Sequence, residues 1–187
     1  MIHQPVRHVS SDHWLQRSRR LPTANCDPRE DPADIALVVI HNISLPPGSF
    51  GGGHIEALFT NTLKSDLHPT FISLEGVRVS AHLFIDRRGR VCQFVPFDHK
   101  AWHAGASSWR GRTGCNRFSI GIELEGTDTR PFTSAQYGAL VPVLKGLFAR
   151  YPLLTRDGVV GHAEIAPGRK TDPGPAFDWA LLYRMLA

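Results

Sequence analysis

The stretch Ile35-Ala36-Leu37-Val38-Val39-Ile40-His41-Asn42 decides the fold. Residues 35–40 are apolar without interruption and rich in β-branched side chains, which predicts a strand buried on both faces of an α/β sheet. His41 follows this run directly, and open α/β sheets bind ligands at the carboxyl ends of their strands. We therefore expect His41 at a functional edge, although an imidazole bonded to a loop carbonyl fits the position equally well.

The rest of the chain continues the α/β pattern. Further strands are predicted where apolar residues alternate with polar or small ones, or form short runs between turns, at residues 79–86, 91–96 and 119–125. The clearest helix begins after Thr133, which forms a capping-box pattern with Gln136, and its apolar stripe continues past Pro142. Shorter helices are predicted at 54–63 and 176–186. The predicted fold class is α/β, with a central mixed β-sheet flanked by helices.

Length and composition set the organisation and exclude several functions. The chain has 187 residues, a net charge of +4 and 42% hydrophobic residues, which fits one folded domain, residues 1–187. Polar residues 1–34 are expected to form an N-terminal arm packed on this domain, with a short helix around Trp14 and Leu15. The apolar runs are too short to cross a membrane, and no block of Lys and Arg indicates a nucleic-acid partner.

The cysteine pattern predicts a reducing compartment. Cys26, Cys92 and Cys115 are odd in number and form no C-x-x-C pair, which argues against a disulfide framework. Residues 1–25 contain no apolar leader segment. The expected location is the cytoplasm.

Two histidines and one aspartate are candidate metal ligands. His162 follows the short apolar run Val159-Val160-Gly161, and Asp172 lies in a loop stiffened by prolines and glycines. Together with His41 they match a catalytic zinc set, in which three protein ligands leave a fourth position open for water. Spacing alone does not decide this, because solvated histidines and a turn aspartate give the same pattern.

Glu123 and Lys170 are candidate catalytic residues. Glu123 lies on the predicted strand 119–125, and beside a metal its carboxylate could take a proton from an activated water. Lys170 precedes Asp172 by two residues and could stabilise a developing oxyanion. The alternatives are an exposed strand glutamate and an ordinary loop lysine.

Other residues are candidates for binding a substrate. Trp102 and His103 could form a platform for a sugar ring, or Trp102 could simply pack in the core. Arg78 and Arg112 could pair with substrate carboxylates, because guanidinium binds them bidentately, or could be surface charges. His82 is expected to support the same cleft.

Five blocks of sequence, in this order and spacing, resemble the AmpD family of zinc amidases. They are VIHNISLPPG at 39–48, VSAH at 79–82, AWHAG at 101–105, SIGIELEGTDT at 119–129 and RKTDPG at 169–174. The resemblance runs from about residue 14 to the last helix. It implies a fold like that of the peptidoglycan-recognition proteins and hydrolysis of the amide between 1,6-anhydro-N-acetylmuramic acid and L-alanine in cell-wall recycling. The implied partner is an anhydromuropeptide, and we expect a monomer.

The resemblance also implies a role for each matched residue. The Zn²⁺ ligands would be His41, His162 and Asp172, the catalytic residues Glu123 and Lys170, and the residues lining the substrate cleft Asn42, Trp102 and His103. The chain departs from the family pattern at Thr70, Gly114 and Gly168, where the family usually has an aromatic residue, an arginine and a glutamate. Because Gly114 offers no guanidinium, the resemblance does not extend to one carboxylate contact of the family, and we expect the peptide preference to differ.

Two other functions fit a fold of this kind. A recognition protein would hold wall fragments without cutting them, but such proteins tend to lack a zinc ligand or the catalytic glutamate. A secreted amidase would act on polymeric wall, and we would expect it to carry a signal peptide or an added wall-binding domain.

Overall fold

The computed structural model describes residues 5–187. The β-strands are β1 Arg19–Arg20, β2 Cys26–Pro28, β3 Leu37–Ile43, β4 Leu83–Ile85, β5 Val91–Gln93, β6 His99–Ala101, β7 Ser108–Trp109, β8 Arg112–Thr113, β9 Ser119–Glu125 and β10 Val159–Gly161. The α-helices are α1 His54–Phe59, α2 Ser134–Arg150, α3 His162–Ile165 and α4 Trp179–Leu186. Short 3-10 helices occur at Ser65–Leu67, Pro69–Leu74, Cys115–Arg117 and Arg156–Gly158.

Six strands form the central sheet, in the order β1-β5-β4-β9-β3-β10. Neighbouring strands are parallel except β4 and β5, which form the hairpin closed by the turn at residues 86–90. The sheet is therefore mixed and mostly parallel, and the predicted fold class is confirmed.

Helices cover both faces of the sheet because its central strands alternate between two apolar cores. Val38 and Ile40 of β3 pack with α2 and α4 in the largest core cluster. Leu37 and Val39 face the other way and pack with Val160 and Ile165. This alternation is the period of a strand buried on both sides.

Several predicted elements differ in their bounds. The strand predicted at 35–40 is β3, which continues to Ile43, so His41 lies within the strand and not after it; pairing with β9 extends through Ile43. The helices predicted at 54–63 and 176–186 are shortened to α1 and α4. The strands predicted at 79–86 and 91–96 are shortened to β4 and β5. The strand at 119–125 is confirmed as β9.

The capping-box helix is confirmed as α2. The Thr133 side chain accepts a hydrogen bond from the Gln136 backbone N–H, and the Gln136 side-chain oxygen accepts one from the Thr133 backbone N–H. Pro142 lies inside the helix, and its carbonyl accepts a hydrogen bond from the backbone N–H of Arg7. The segment before β1 therefore packs along α2.

The N-terminal segment lies along the edge of the sheet. β1 pairs with β5, and β2 pairs with β6. The short helix predicted around Trp14 and Leu15 is wrong: Leu15 forms a β-bridge with Val9 and is buried in the main core. Residues 1–4 of the predicted arm lie outside the described residues. Among residues 5–187, no helix has both the length and the apolar character needed to cross a bilayer.

Candidate metal centre and active site

Two neighbouring parallel strands place His41 and Glu123 side by side. β3 and β9 pair so that His41 is in register with Glu123. Each residue belongs to the set of its strand that faces away from α2, because side chains alternate along a strand. Their side chains therefore project from the same face, near the carboxyl ends of both strands.

The strand on the other side of β3 brings in His162. Gly161 of β10 pairs with Ile40, so His162, the first residue of α3, follows beside His41. Asp172 lies in the loop after α3, and its backbone carbonyl accepts a hydrogen bond from the Ala163 N–H at 2.9 Å. The loop packs closely here: a Cβ at Gly161 would lie 2.8 Å from the Pro173 ring.

Three donor atoms converge at this point. The Nδ1 atoms of His41 and His162 are 3.0 Å apart, and Asp172 Oδ2 lies 2.9 Å from the first and 3.1 Å from the second. The two imidazoles are only 1% and 3% exposed. The predicted ligand set is therefore brought together as a group that could hold a metal ion.

The hydrogen bonds around this group fit a divalent cation. His162 Nε2 lies 3.1 Å from the carbonyl oxygen of Ala104, which can only accept, so Nε2 carries the proton and Nδ1 of the neutral ring offers a lone pair. Lone pairs of two imidazoles and a carboxylate within 3.1 Å of one another repel, and a shared cation relieves this. Two nitrogen donors and one carboxylate oxygen match the ligands of catalytic zinc sites.

The protonation states of the ligands favour metal binding. Burial is the main cause that lowers the pKa of His41 to about 4, so the ring is neutral at physiological pH. Burial opposes ionisation of Asp172, but the contacts of its Oδ2 with the His162 and His41 imidazoles outweigh it and hold the Asp172 pKa well below its ordinary value. Metal ligands must be in these deprotonated forms.

The pKa of Glu123 is shifted in the opposite direction. Burial, followed by the negative charge of Asp172, raises the pKa of Glu123 well above its ordinary value, and the positive charge of Lys170 only partly offsets this. Within residues 5–187, its buried Oε2 has no hydrogen-bond partner. A carboxyl group poised in this way can exchange a proton with a ligand in the cleft.

A cleft of about 400 Å³ surrounds these groups. Of the predicted residues it brings together His41, Asn42, Trp102, His103, Glu123, His162, Lys170 and Asp172. It also contains residues that the sequence reasoning missed: Phe59, Ser80, Asp128, Arg169 and Thr171. Four of these five residues lie inside the motif blocks, Ser80 in 79–82, Asp128 in 119–129, and Arg169 and Thr171 in 169–174, whereas Phe59 lies in none of them.

Asp128 fixes the orientation of Asn42. Asn42 Nδ2 donates to Asp128 Oδ1 at 2.6 Å and to the carbonyl oxygen of Pro173 at 3.2 Å. Both partners only accept, so the amide nitrogen must face them. The Asn42 carbonyl oxygen is left as the acceptor available to a ligand.

Two predicted substrate contacts lie elsewhere in the described part of the chain. Arg78 is exposed and lines a different cavity, beside Lys64 and Glu75. Arg112 forms a two-pronged ion pair with Asp34 at 3.1 and 2.5 Å. The structure does not bring either guanidinium into the cleft.

His82 contacts β9, the strand that carries Glu123. It is fully buried, and its Nδ1 accepts a hydrogen bond from the Gly121 N–H at 3.0 Å. Its Nε2 lies 3.0 Å from the His99 carbonyl oxygen, to which it donates. Burial lowers its pKa well below the ordinary value. A neutral His82 therefore fixes β9 two residues before Glu123.

Comparison with known proteins identifies the family. The family model described as N-acetylmuramoyl-L-alanine amidase matches residues 31–175, which include all three candidate ligands. This chain belongs to the N-acetylmuramoyl-L-alanine amidase family. The 1,6-anhydro-N-acetylmuramyl-L-alanine amidase AmpD of Escherichia coli K12 is 54% identical to this amidase over 173 residues, or 92% of this chain and 93% of that protein. The resemblance drawn from the sequence is confirmed.

Solved amidase structures share the fold. A crystal structure of a selenomethionine AmpD derivative matches with a TM-score of 0.91 and 52% identity, covering 95% of this chain and 98% of that one. The Escherichia coli amidase AmiD, solved with the substrate anhydro-N-acetylmuramic acid-L-Ala-D-gamma-Glu-L-Lys, matches with a TM-score of 0.62 and 33% identity, covering 95% of this chain and 65% of that one.

Proposed function

We propose that this amidase uses zinc to hydrolyse the amide between 1,6-anhydro-N-acetylmuramic acid and L-alanine of muropeptides in cell-wall recycling. The observation that carries the proposal is the convergence of His41, His162 and Asp172 in a cleft that also contains Glu123. The names of the AmpD relatives, and the anhydromuropeptide bound to AmiD, support the choice of substrate.

His41, His162 and Asp172 would hold the zinc through Nδ1, Nδ1 and Oδ2. A bound zinc ion supplies Lewis acidity, which lowers the pKa of a water molecule and polarises the amide carbonyl. The ligand set offers two neutral imidazoles and one carboxylate, so the centre keeps a net positive charge. That charge favours the negative charge that develops on the amide oxygen.

Glu123 is the proposed general base and acid. Its carboxylate takes a proton from the attacking water and delivers it to the nitrogen of the leaving L-alanine, which departs as a neutral amine. Burial, the main cause that raises the pKa of Glu123, favours proton uptake by its carboxylate. Lys170, which lines the same cleft, would stabilise the oxyanion.

Asn42, Trp102 and His103 are the proposed substrate contacts, because all three line the cleft. Arg78 and Arg112 lie outside this cleft. A substrate contact of either guanidinium stays a prediction from the sequence alone. The monomeric state, the cytoplasmic location and the single domain of residues 1–187 also stay predictions from the sequence.

Mass spectrometry of the reaction with an anhydromuramyl tripeptide tests the proposal. We expect free anhydro-N-acetylmuramic acid and a peptide with a free L-alanine amine, and loss of both products after chelation and their return with zinc. The Glu123→Gln variant, loaded with zinc, is the matched inactive control. If the zinc-loaded protein binds the muropeptide but releases no product at any pH tested, it is a recognition protein and the amidase proposal fails.

A further inference from the structure

The Nε2 atoms of His41 and His162, which are not the proposed metal-binding nitrogens, contact two consecutive residues, His103 and Ala104. His41 Nε2 lies 2.9 Å from His103 Nδ1, with the rings in a T-shaped arrangement whose centroids are 5.0 Å apart. His162 Nε2 lies 3.1 Å from the carbonyl oxygen of Ala104. We propose that the pair His103–Ala104 is a positioning device that orients both ligand imidazoles toward the metal, an inference that rests on the metal site of the proposed function.

The hydrogen bonds fix one consistent set of tautomers. When His41 Nδ1 offers its lone pair to the metal, its Nε2 carries the proton and donates to His103 Nδ1. His103 then carries its own proton on Nε2, which lies 3.1 Å from Ser119 Oγ. The chain from Ser119 through His103 to His41 therefore holds the ligand ring in its binding orientation.

The positioning pair is itself held rigidly. Asn116 Oδ1 accepts hydrogen bonds from the backbone N–H groups of both His103 and Ala104, at 3.2 and 2.8 Å. The Arg169 guanidinium donates to the Ala104 carbonyl oxygen at 2.7 Å. Gly121 lets the His103 ring lie against β9, because a Cβ there would come within 2.4 Å of the ring.

These contacts give His103 a role beyond lining the substrate cleft. Partners that bond the second nitrogen of a metal-bound imidazole fix its tautomer and orientation, and losing one typically weakens metal binding about 10–100-fold. His103 touches the metal site only through His41, so it is a positioning residue.

Zinc affinity of His103 variants tests this inference. Chelator-stripped wild-type, His103→Asn and His103→Leu proteins are titrated with zinc in competition with a chromophoric chelator at fixed pH. Asn and Leu are similar in size, but only Asn offers an oxygen where His103 has Nδ1. We expect His103→Leu to bind zinc about 10–100-fold more weakly than wild type, and His103→Asn to retain most of the affinity. His8→Ala, a change at an exposed histidine, is the control.

The outcomes separate the inference from the proposed function. If wild type binds zinc and both His103 variants match it, or if both lose affinity equally, the positioning role is refuted. If wild type itself binds no zinc, the proposed function fails instead. Circular dichroism of the stripped proteins checks folding. If His103→Leu does not fold, Ser119→Ala replaces it, with a smaller loss of zinc affinity expected and an unchanged affinity refuting the inference.

Discussion

Glu123→Gln is expected to stabilise the metal-free protein increasingly as the pH rises. The unfolded chain releases the Glu123 proton above its ordinary pKa of 4.5, whereas burial raises the pKa of the folded state, which keeps the proton longer. Rising pH therefore favours the unfolded wild-type chain, and glutamine, which does not titrate, removes this loss. Relative to wild type, the free energy of unfolding of Glu123→Gln is therefore unchanged below pH 4.5 and increases progressively above pH 4.5.

The size of the effect follows from proton linkage. Between the unfolded and folded pKa values, wild type loses at most about 1.4 kcal/mol of folding free energy per pH unit. The side chain of Glu123 lines the cleft and is only partly shielded, so water reduces this limit. For a chain of this length, 1 kcal/mol corresponds to about 2–4 °C in Tm.

Thermal denaturation of chelator-treated protein at pH 4.5, 6 and 7.5 measures the difference. Other titrating groups, including the buried His41 and His82, are present in both proteins, so their contributions cancel. Glu75→Gln, at an exposed glutamate outside the cleft, is the matched control and should show no trend. A Tm difference between Glu123→Gln and wild type that is constant from pH 4.5 to 7.5 would refute the reasoning. The zinc-loaded variant should also lose about 10²–10⁴-fold in kcat.

Three further variants test the rest of the site. Asp172→Ala should lose bound zinc and activity together, measured by metal analysis and product release; a variant that keeps both contradicts the ligand set. Lys170→Ala should lower kcat by about 10²–10³-fold at unchanged zinc content, with partial recovery in Lys170→Arg, and an unchanged kcat would exclude oxyanion stabilisation. Asp128→Ala should raise KM more than it lowers kcat, because the Asn42 amide loses the partner that orients it; equal kinetics would show that this orientation is not needed.

Local patterns predicted most of the fold but not the limits of its elements. The strand Ser119–Glu125 and the capped helix α2 are set by their own alternation and caps, and both match the prediction. β3 extends beyond its apolar run because β9 continues to pair with it as far as Ile43. The helix predicted near Leu15 fails because this residue is buried in the core through an extended segment. Such tertiary contacts have no local signal.

The candidate site likewise contains residues that the sequence predicts and contacts that it does not. His41, His162 and Asp172 are identifiable because their motifs surround them. The contact that orients His162 is a backbone carbonyl, that of Ala104, which any residue would provide. Arg112 forms an ion pair with Asp34, which lies 78 residues away in the sequence, and no sequence pattern connects these two residues. Contacts between residues that come together only in the folded chain therefore could not be predicted from the sequence.

The two carboxyl groups of the cleft show how the fold divides the chemical work. Contacts of Asp172 Oδ2 with the His41 and His162 imidazoles hold its pKa low, so its carboxylate is ionised. Among residues 5–187 the buried Oε2 of Glu123 has no such partner, and burial followed by the charge of Asp172 raises the Glu123 pKa, so Glu123 is the group suited to proton transfer. When the environments of two carboxyl groups separate their pKa values in this way, the group with the lower pKa serves as a charged carboxylate and the group with the higher pKa transfers protons. In the metal-free cleft the charge of Asp172 therefore adds to the proton affinity of Glu123, whereas a bound divalent cation would offset that charge.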